Sequence, residues 1–309
     1  MMKAAFLAAA LLGIPLLGLG VGAGPVAAQE RVTLGFARLF TNDALGDTHD
    51  RWRSGAYSVS RFRGDRWGGS LPDTFGVILE QRLRAEIIAP ESLTTRNPDR
   101  LYAGVIAPGL ATHWALMGME ARLGGELVFT GPQTKVGAFQ REVHQGIGLD
   151  RPSVLGSQIP DGVHPTVNLE LGRTLSLSQR VSLRPFAEAQ AGVEDYVRVG
   201  GDLVLGRFGH EGLFTRDTVT GQRVLGITGT ADPGLSFTLG ADMARVFDSA
   251  YMPARGPATP EDLRGRLRAG LHWQGERSDA FYGVTWLGKE FDAQPEGQVV
   301  GSVRLNLRF

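Results

Sequence analysis

From Phe75 to Ile88 the side chains alternate: Phe75, Val77, Leu79, Leu83, Ala85 and Ile87 share one face, and Glu80, Arg82, Arg84 and Glu86 share the other. A period of two is the mark of a β-strand. At about 3.3 Å per residue the segment would run ~46 Å, against roughly 17–20 Å for an ordinary strand. That length suits a tilted membrane crossing. The pattern recurs. Ala115, Met117, Met119, Ala121, Leu123, Leu127 and Phe129 line one face of a second segment, with Glu120, Arg122 and Glu126 opposite. Leu267, Ala269, Leu271 and Trp273 oppose Arg266, Arg268, His272 and Gln274. The chain closes with Val299, Val303, Leu305, Leu307 and Phe309 against Ser302, Arg304, Asn306 and Arg308. The fold these faces predict is all-β, a transmembrane antiparallel up-and-down β-barrel.

About twelve such segments can be picked out, near 31–40, 54–63, 75–88, 100–112, 114–129, 165–175, 180–194, 196–206, 234–247, 263–274, 279–289 and 298–309. An even number is what a single-chain bacterial barrel requires. Residues 223–230 could form another short strand, but a thirteenth crossing would leave the termini on opposite sides, so they are assigned to a non-spanning connection. With a periplasmic N-terminus, the connections 41–53, 89–99 and 130–164 face the cell exterior and hold most of the polar, non-alternating sequence. The turns at Ser176-Leu177-Ser178 and near Ser278-Asp279 are short, as inner turns usually are. The stretch 207–233 is the exception, a long periplasmic connection that periodicity does not explain.

Composition adds a compartment. Met1-Met2-Lys3, the apolar run from Ala4 to Val21, and Pro25-Val26-Ala27-Ala28 before Gln29 have the order of a secretory signal peptide with cleavage after Ala28. The expected division is a signal peptide, 1–28, and a barrel, 29–309, in the bacterial outer membrane. No later stretch approaches the ~18 consecutive apolar residues of a spanning helix. Thirty-two basic and thirty-two acidic residues cancel, so a nucleic-acid partner is not expected. The lack of cysteine removes disulfides, thiol nucleophiles and thiolate zinc sites together. The alternating last strand with its C-terminal Phe309 looks like the signal read by the barrel assembly machinery, and a monomer is expected.

Candidate chemistry falls on the outer connections. Asn42 and Asp43, at the end of the first strand, are hard oxygen donors of the kind calcium selects, and equally a common turn pair. Trp52 reads as an interfacial belt residue. In the third outer connection, a helix over Val136 to His144 would put Gln140 and His144 one turn apart on the same face. A histidine can take a proton from water near neutral pH, and a carboxylate such as Asp150 could orient the imidazole; a plain surface histidine is the alternative. His49, His113, His164, His210 and His272 have no comparable neighbours, and His272 reads as lumen lining.

The ordered set of motifs resembles the outer-membrane lipid A 3′-O-deacylase family: Asn42-Asp43 at the first strand's end, Asp50-Arg51-Trp52 leading to Gly55, Asn97-Pro98-Asp99-Arg100-Leu101-Tyr102-Ala103-Gly104, and Gln140 and His144 before Ile147-Gly148 and Ser157-Gln158-Ile159. The likeness spans most of the mature chain. It implies a twelve-stranded barrel that hydrolyses an ester-linked acyl chain of lipid A in the outer leaflet, with Ca2+ as cofactor and lipid A or lipopolysaccharide as partner. By position His144 matches the family's general base, Gln140 its neighbour, and Asn42 and Asp43 the polar pair of the calcium-dependent site. Asp150 stands where the family has Glu. Two departures stand out. The family's Tyr-Thr-x-Gly appears as Trp52-Arg53-Ser54-Gly55, so Arg53 replaces an active-site Thr unless Ser54 supplies the hydroxyl. The family's second-loop Lys falls near Thr95 and Arg96. On this reading Arg53 and Arg96 grip lipid A phosphates, since guanidinium matches phosphate bidentately. The alternatives are a catalytically inactive lipid A-binding or structural barrel, suggested by the lost Thr and Lys, and a porin-like channel. The inward charges Glu80, Arg82, Arg84 and Glu86 argue against an open channel.

Overall fold

The computed structural model describes residues 31–309 apart from 231–232, 276–277 and 308–309. The expected signal peptide and Phe309 therefore lie outside the described residues. The strands, in chain order, are β1 (Val32–Asn42), β2 (Arg53–Gly64), β3 (Ile78–Ile88), β4 (Ala103–Leu116), β5 (Met119–Thr130), β6 (Gly162–Gly172), β7 (Leu175–Ser178), β8 (Val181–Ala191), β9 (Glu194–Leu205), β10 (Leu213–Arg216), β11 (Arg223–Ile227), β12 (Gly234–Ser249), β13 (Leu263–Gln274), β14 (Ser278–Leu287) and β15 (Gln298–Leu307). One α-helix, α1 (Val136–Ile147), rises between β5 and β6.

Thirteen strands form one antiparallel sheet, and β7 is only a short addition paired to β8. The remaining twelve close into a barrel, with β1 hydrogen-bonded to β15 at Phe40↔Val303 and β6 to β8 at Val167↔Ala191. Closure removes the unpaired edge that an open sheet would present. The connections 43–52, 89–102, 131–161, 250–262 and 288–297 gather at one end, the loop end, together with α1; the opposite, turn end carries both described termini and the connections 65–77 and 206–233.

Burial is inverted relative to a water-soluble protein. Leu83 is 49% exposed while Glu80, three residues before it on the same strand, is 0% exposed. Leu127, Leu267, Leu271 and Leu305 are likewise exposed, and Arg82, Arg84 and Glu86 are buried. An apolar outer face and a charged lumen are what a lipid surround requires. Buried charges are costly unless paired, and the lumen pairs them: Glu80 accepts from Arg82 at 2.9 Å, Arg122 at 2.8 Å and Ser60 at 2.6 Å, with His113 Nε2 at 2.9 Å.

The boundaries shift in two instructive places. The alternation read through 114–129 crosses a hairpin, because Met117 and Gly118, at φ 51° and 77°, turn β4 back into β5. The pairs Ala115↔Glu120 and His113↔Arg122 show that the turn exchanges odd for even positions, so Ala115 shares the lumen face of Glu120 and not the face of Ala121; the uncharged run Trp114 to Met117 gave no sign of the exchange. Phe75 to Val77 precede β3, where Phe75 packs edge-on against Trp114.

The long connection 207–233 has a physical role. Its β10–β11 hairpin folds into the lumen, where Leu213, Val224 and Ile227 join Ala37, Leu39, Phe62, Ile78 and Phe281 in an apolar cluster. Gly226 is pressed so closely on the Phe62 ring that an added methyl would collide with it. Polar contacts tie the hairpin to strands on several sides: Arg216 to Glu170 and Asp202, each at 2.9 Å; Gln222 to Thr285 at 3.2 Å; Arg266 to the Thr218 carbonyl at 2.8 Å. Residues 223–230 are non-spanning, as expected, and the hairpin occupies the space where a pore would run.

Candidate functional site at the loop end

Helix α1 presents Val136, Gln140 and His144 at a spacing of four, and all three are buried against the barrel. Its neighbouring stripe, Phe139, Val143 and Ile147, is exposed at 64%, 40% and 67%. The helix ends at Gly148, whose φ of 77° is one that side chains other than hydrogen rarely adopt. The reversal it allows returns the chain over the last turn: Leu149 N–H donates to the His144 carbonyl at 2.9 Å, and His144 Nδ1 lies 2.8 Å from the carbonyl of Asp150. Asp150 is exposed, and its contact with the imidazole runs through the main chain. The expected carboxylate partner is thus replaced by a backbone oxygen. The connection carrying α1 is pinned to its neighbour, with Ser153 N–H donating to the Leu93 carbonyl and Ile159 N–H to the Tyr102 carbonyl, both at 2.9 Å.

The carboxylate that does meet the imidazole is Asp50, which the sequence places in the Asp50-Arg51-Trp52 motif without a catalytic role. Asp50 Oδ2 lies 3.0 Å from His144 Nε2, and Oδ1 accepts from Ser54 Oγ and, at 3.4 Å, from Gln140 Nε2. Nothing local marks Asp50 as special; it meets His144 only because α1 folds over the first outer connection. Gln140 Oε1 is buried and has no hydrogen-bond partner among the described residues.

Asn42 and Asp43 stand at the same rim. Asn42 caps a short 3-10 turn, accepting from Ala44 N–H at 2.8 Å, and its amide donates to the Ser54 carbonyl at 2.9 Å. Asp43 is buried, and its Oδ2 accepts from Arg51 N–H at 2.8 Å. Burial, with Asp50 and Asp47 nearby, pushes its carboxyl up to about 8 despite that hydrogen bond. A buried carboxylate without a cationic partner is the donor chemistry a hard cation satisfies, so Asp43 fits calcium better than Asn42, whose oxygen is already engaged. Among the described residues no group of three or more His, Cys, Asp or Glu is placed to hold a metal ion.

Two of the sequence candidates stand apart from this cluster. Arg53 turns into the lumen, donating to Glu290 at 2.7 Å and Glu86 at 3.0 Å, with Glu194 at 4.0 Å. Its guanidinium neutralises those carboxylates and does not face a ligand at the rim, contrary to the expected phosphate grip. Arg96 is exposed in the connection between β3 and β4. Trp52, expected in the lipid belt, is 1% exposed and donates to Asp99 at 2.9 Å. Ser54, by contrast, joins the cluster, so the hydroxyl near His144 comes from the residue after Arg53.

A closed antiparallel barrel of twelve crossings, apolar outside and charged within, defines a bacterial outer-membrane protein. The sequence pattern of the family described as Outer membrane protein LpxR matches residues 12–309. The chain belongs to that family. Among solved structures it is similar to LpxR from Salmonella typhimurium, with a TM-score of 0.72 and 16% identity, covering 89% of this chain and 100% of that one. It is also similar to the NanC porin, at a TM-score of 0.43 and 5% identity over 89% of this chain and 100% of that one. The KdgM porin in complex with disordered oligogalacturonate follows at 0.40 and 6%, over 90% and 99%. No curated protein matches the sequence.

Proposed function

We propose that this barrel is a calcium-dependent lipid A 3′-O-deacylase, hydrolysing an ester-linked acyl chain in the outer leaflet at the loop end. The observation that carries the reading is the arrangement of His144 between the Asp150 carbonyl and the Asp50 carboxylate. The Asp150 carbonyl can only accept, so Nδ1 carries a proton, and Nε2, 3.0 Å from Asp50, is the nitrogen that takes a proton from a water standing against both it and that carboxylate. Asp50 then stabilises the imidazolium, and Ser54 and Gln140 hold Asp50 in place. The unpartnered Gln140 Oε1 accepts from the attacking water. His144 passes its proton to the departing sugar oxygen, releasing the fatty acid. Asp43 would hold calcium, and the ion would supply Lewis-acid polarisation of the ester carbonyl and positive charge for the oxyanion. The exposed Phe139, Val143 and Ile147 beside the His144 face suit acyl chains, and Arg96 supplies a guanidinium for a lipid A phosphate.

The second reading, a lipid A-binding barrel without catalysis, rests on Arg53, which stands where the family has Thr and is committed to Glu86 and Glu290. Mass spectrometry of lipid A from cells expressing wild type, His144→Ala or neither separates the two. Loss of one acyl chain with wild type alone supports the hydrolase. Identical spectra in all three, with calcium present and the barrel verified in the membrane, remove it and leave the binding reading.

A further inference from the structure

At the turn end, far from His144, a cavity of about 750 Å³ opens between the lumen hairpin and the barrel wall. Its lining combines the apolar Trp67, Leu71 and Phe214 with the cations Arg122, Arg184 and Arg223. Two of these cations are paired. Arg122 donates to Glu80 at 2.8 Å, and Arg184 to Glu120 and Glu170, each at 2.6 Å. Arg216, across the hairpin from Arg223, is held by Glu170 and Asp202. Arg223 makes no hydrogen bond or ion pair among the described residues; its guanidinium carbon lies 4.5 Å from the centre of the Phe214 ring. The remaining carboxylate of the lining, Glu211, accepts from Thr230 at 2.7 Å, while Trp67 donates to the Glu211 carbonyl at the same distance.

A half-buried guanidinium with no carboxylate in direct contact is unusual, because charges inside proteins are normally paired. Here the nearest carboxylates are already engaged by other arginines. Burial and then the Arg184 charge push Arg223 down to about 10, and the more distant Asp202 and Glu120 offset this only in part. The pairing of β11 with β10, opposite Arg216, holds Arg223 on the hairpin at this side of the cavity.

We propose that this vestibule is a second binding site, separate from the loop-end cluster, for a small amphiphilic oxyanion. Its phosphate or carboxylate group sits on Arg223 with Arg184 behind, and its apolar body lies against Trp67 and Phe214. Guanidinium offers such a group two parallel N–H donors, and the aromatic wall excludes a ligand that is charged throughout.

The test uses the whole barrel in detergent, with phenyl phosphate as probe and inorganic phosphate and benzyl alcohol as comparators. The indole N–H signal of Trp67 and titration calorimetry report binding. Saturable binding of phenyl phosphate is expected, tighter than that of inorganic phosphate by about tenfold or more, and weakened by a similar factor in Arg223→Met, which removes a charge-assisted pair. Arg223→Lys should retain part of it. Because Arg223 has no side-chain polar partner to lose, Arg223→Met should keep the heat-modifiable mobility of a folded barrel. His144→Ala should bind as wild type does, which separates this site from the deacylase reading. Absent saturable binding, equal binding of phenyl phosphate and inorganic phosphate, or unchanged affinity in a folded Arg223→Met would each overturn the proposal.

Discussion

Asp50→Asn tests the geometry of the loop-end cluster most directly. Three groups converge on this carboxylate: Ser54 and Gln140 donate to Oδ1, and His144 Nε2 lies 3.0 Å from Oδ2. The amide keeps the shape, yet it removes the charge that stabilises the imidazolium, and its NH2 group would occupy the Nε2 that must take up a proton. A hydrogen bond to a charged group contributes about 1.5–3 kcal/mol. The Asp50 side chain is 36% exposed, so solvent screening favours the lower part of that range, about 1.5–2 kcal/mol. At about 1.4 kcal/mol per decade of rate, deacylation should slow roughly ten- to thirtyfold. The assay follows acyl release from lipid A in mixed micelles by mass spectrometry over time. Asp150→Ala is the comparator. Its contact with His144 runs through the main chain, which alanine retains, so its rate should stay within about twofold of wild type. A tenfold loss in Asp150→Ala with Asp50→Asn unaffected would refute the arrangement and restore the sequence-level assignment.

Three further outcomes are expected. Asp43 is raised from 3.8 to about 8, so between those values the folded chain holds a proton that the unfolded chain has lost, and stability without calcium falls as pH rises through that window. Since calcium would displace the same proton, calorimetric affinity should tighten toward about pH 8 and level off, with the dependence lost in Asp43→Asn; a flat profile in wild type counts against Asp43 as a ligand. Arg53→Thr restores the family's residue but leaves Glu86 and Glu290 each short of a cation, and should lower barrel stability by about 1–3 kcal/mol in a urea titration. An unchanged midpoint would show that Arg84 and Arg100 suffice. Replacing 212–228 by a short glycine linker should create planar-bilayer conductance that wild type lacks, and a shortened but folded barrel that stays closed would show that the hairpin is not what fills the lumen.

Much of the barrel was legible because lipid on one side and a charged lumen on the other impose a period of two on every crossing. Phe75 to Ile88 showed that directly, and parity then sent the outer connections to one rim. The Met117-Gly118 turn was hidden because the residues before it, Trp114 to Met117, are all apolar and carry no charge to mark the exchange of faces that the turn makes. Helix α1 and its Gln140 and His144 face followed from a spacing of four, and that face is buried as the spacing implies.

What the sequence by itself determined, then, is the class of fold, the order of its strands and the residues available at the rim, since local periodicity and motif order are properties of neighbouring positions. Only the tertiary structure decided which carboxylate meets His144, because Asp50 is brought under α1 by packing between distant connections. It also turned Arg53 inward to three carboxylates drawn from three other parts of the chain. The same holds for 207–233: its strands are too short to span, and the apolar cluster with Phe62 and the ion pairs of Arg216 exist only inside the closed barrel. Contacts across tens to hundreds of residues leave no period in the sequence, so the side-chain partners at the rim and in the lumen were set by closure of the sheet.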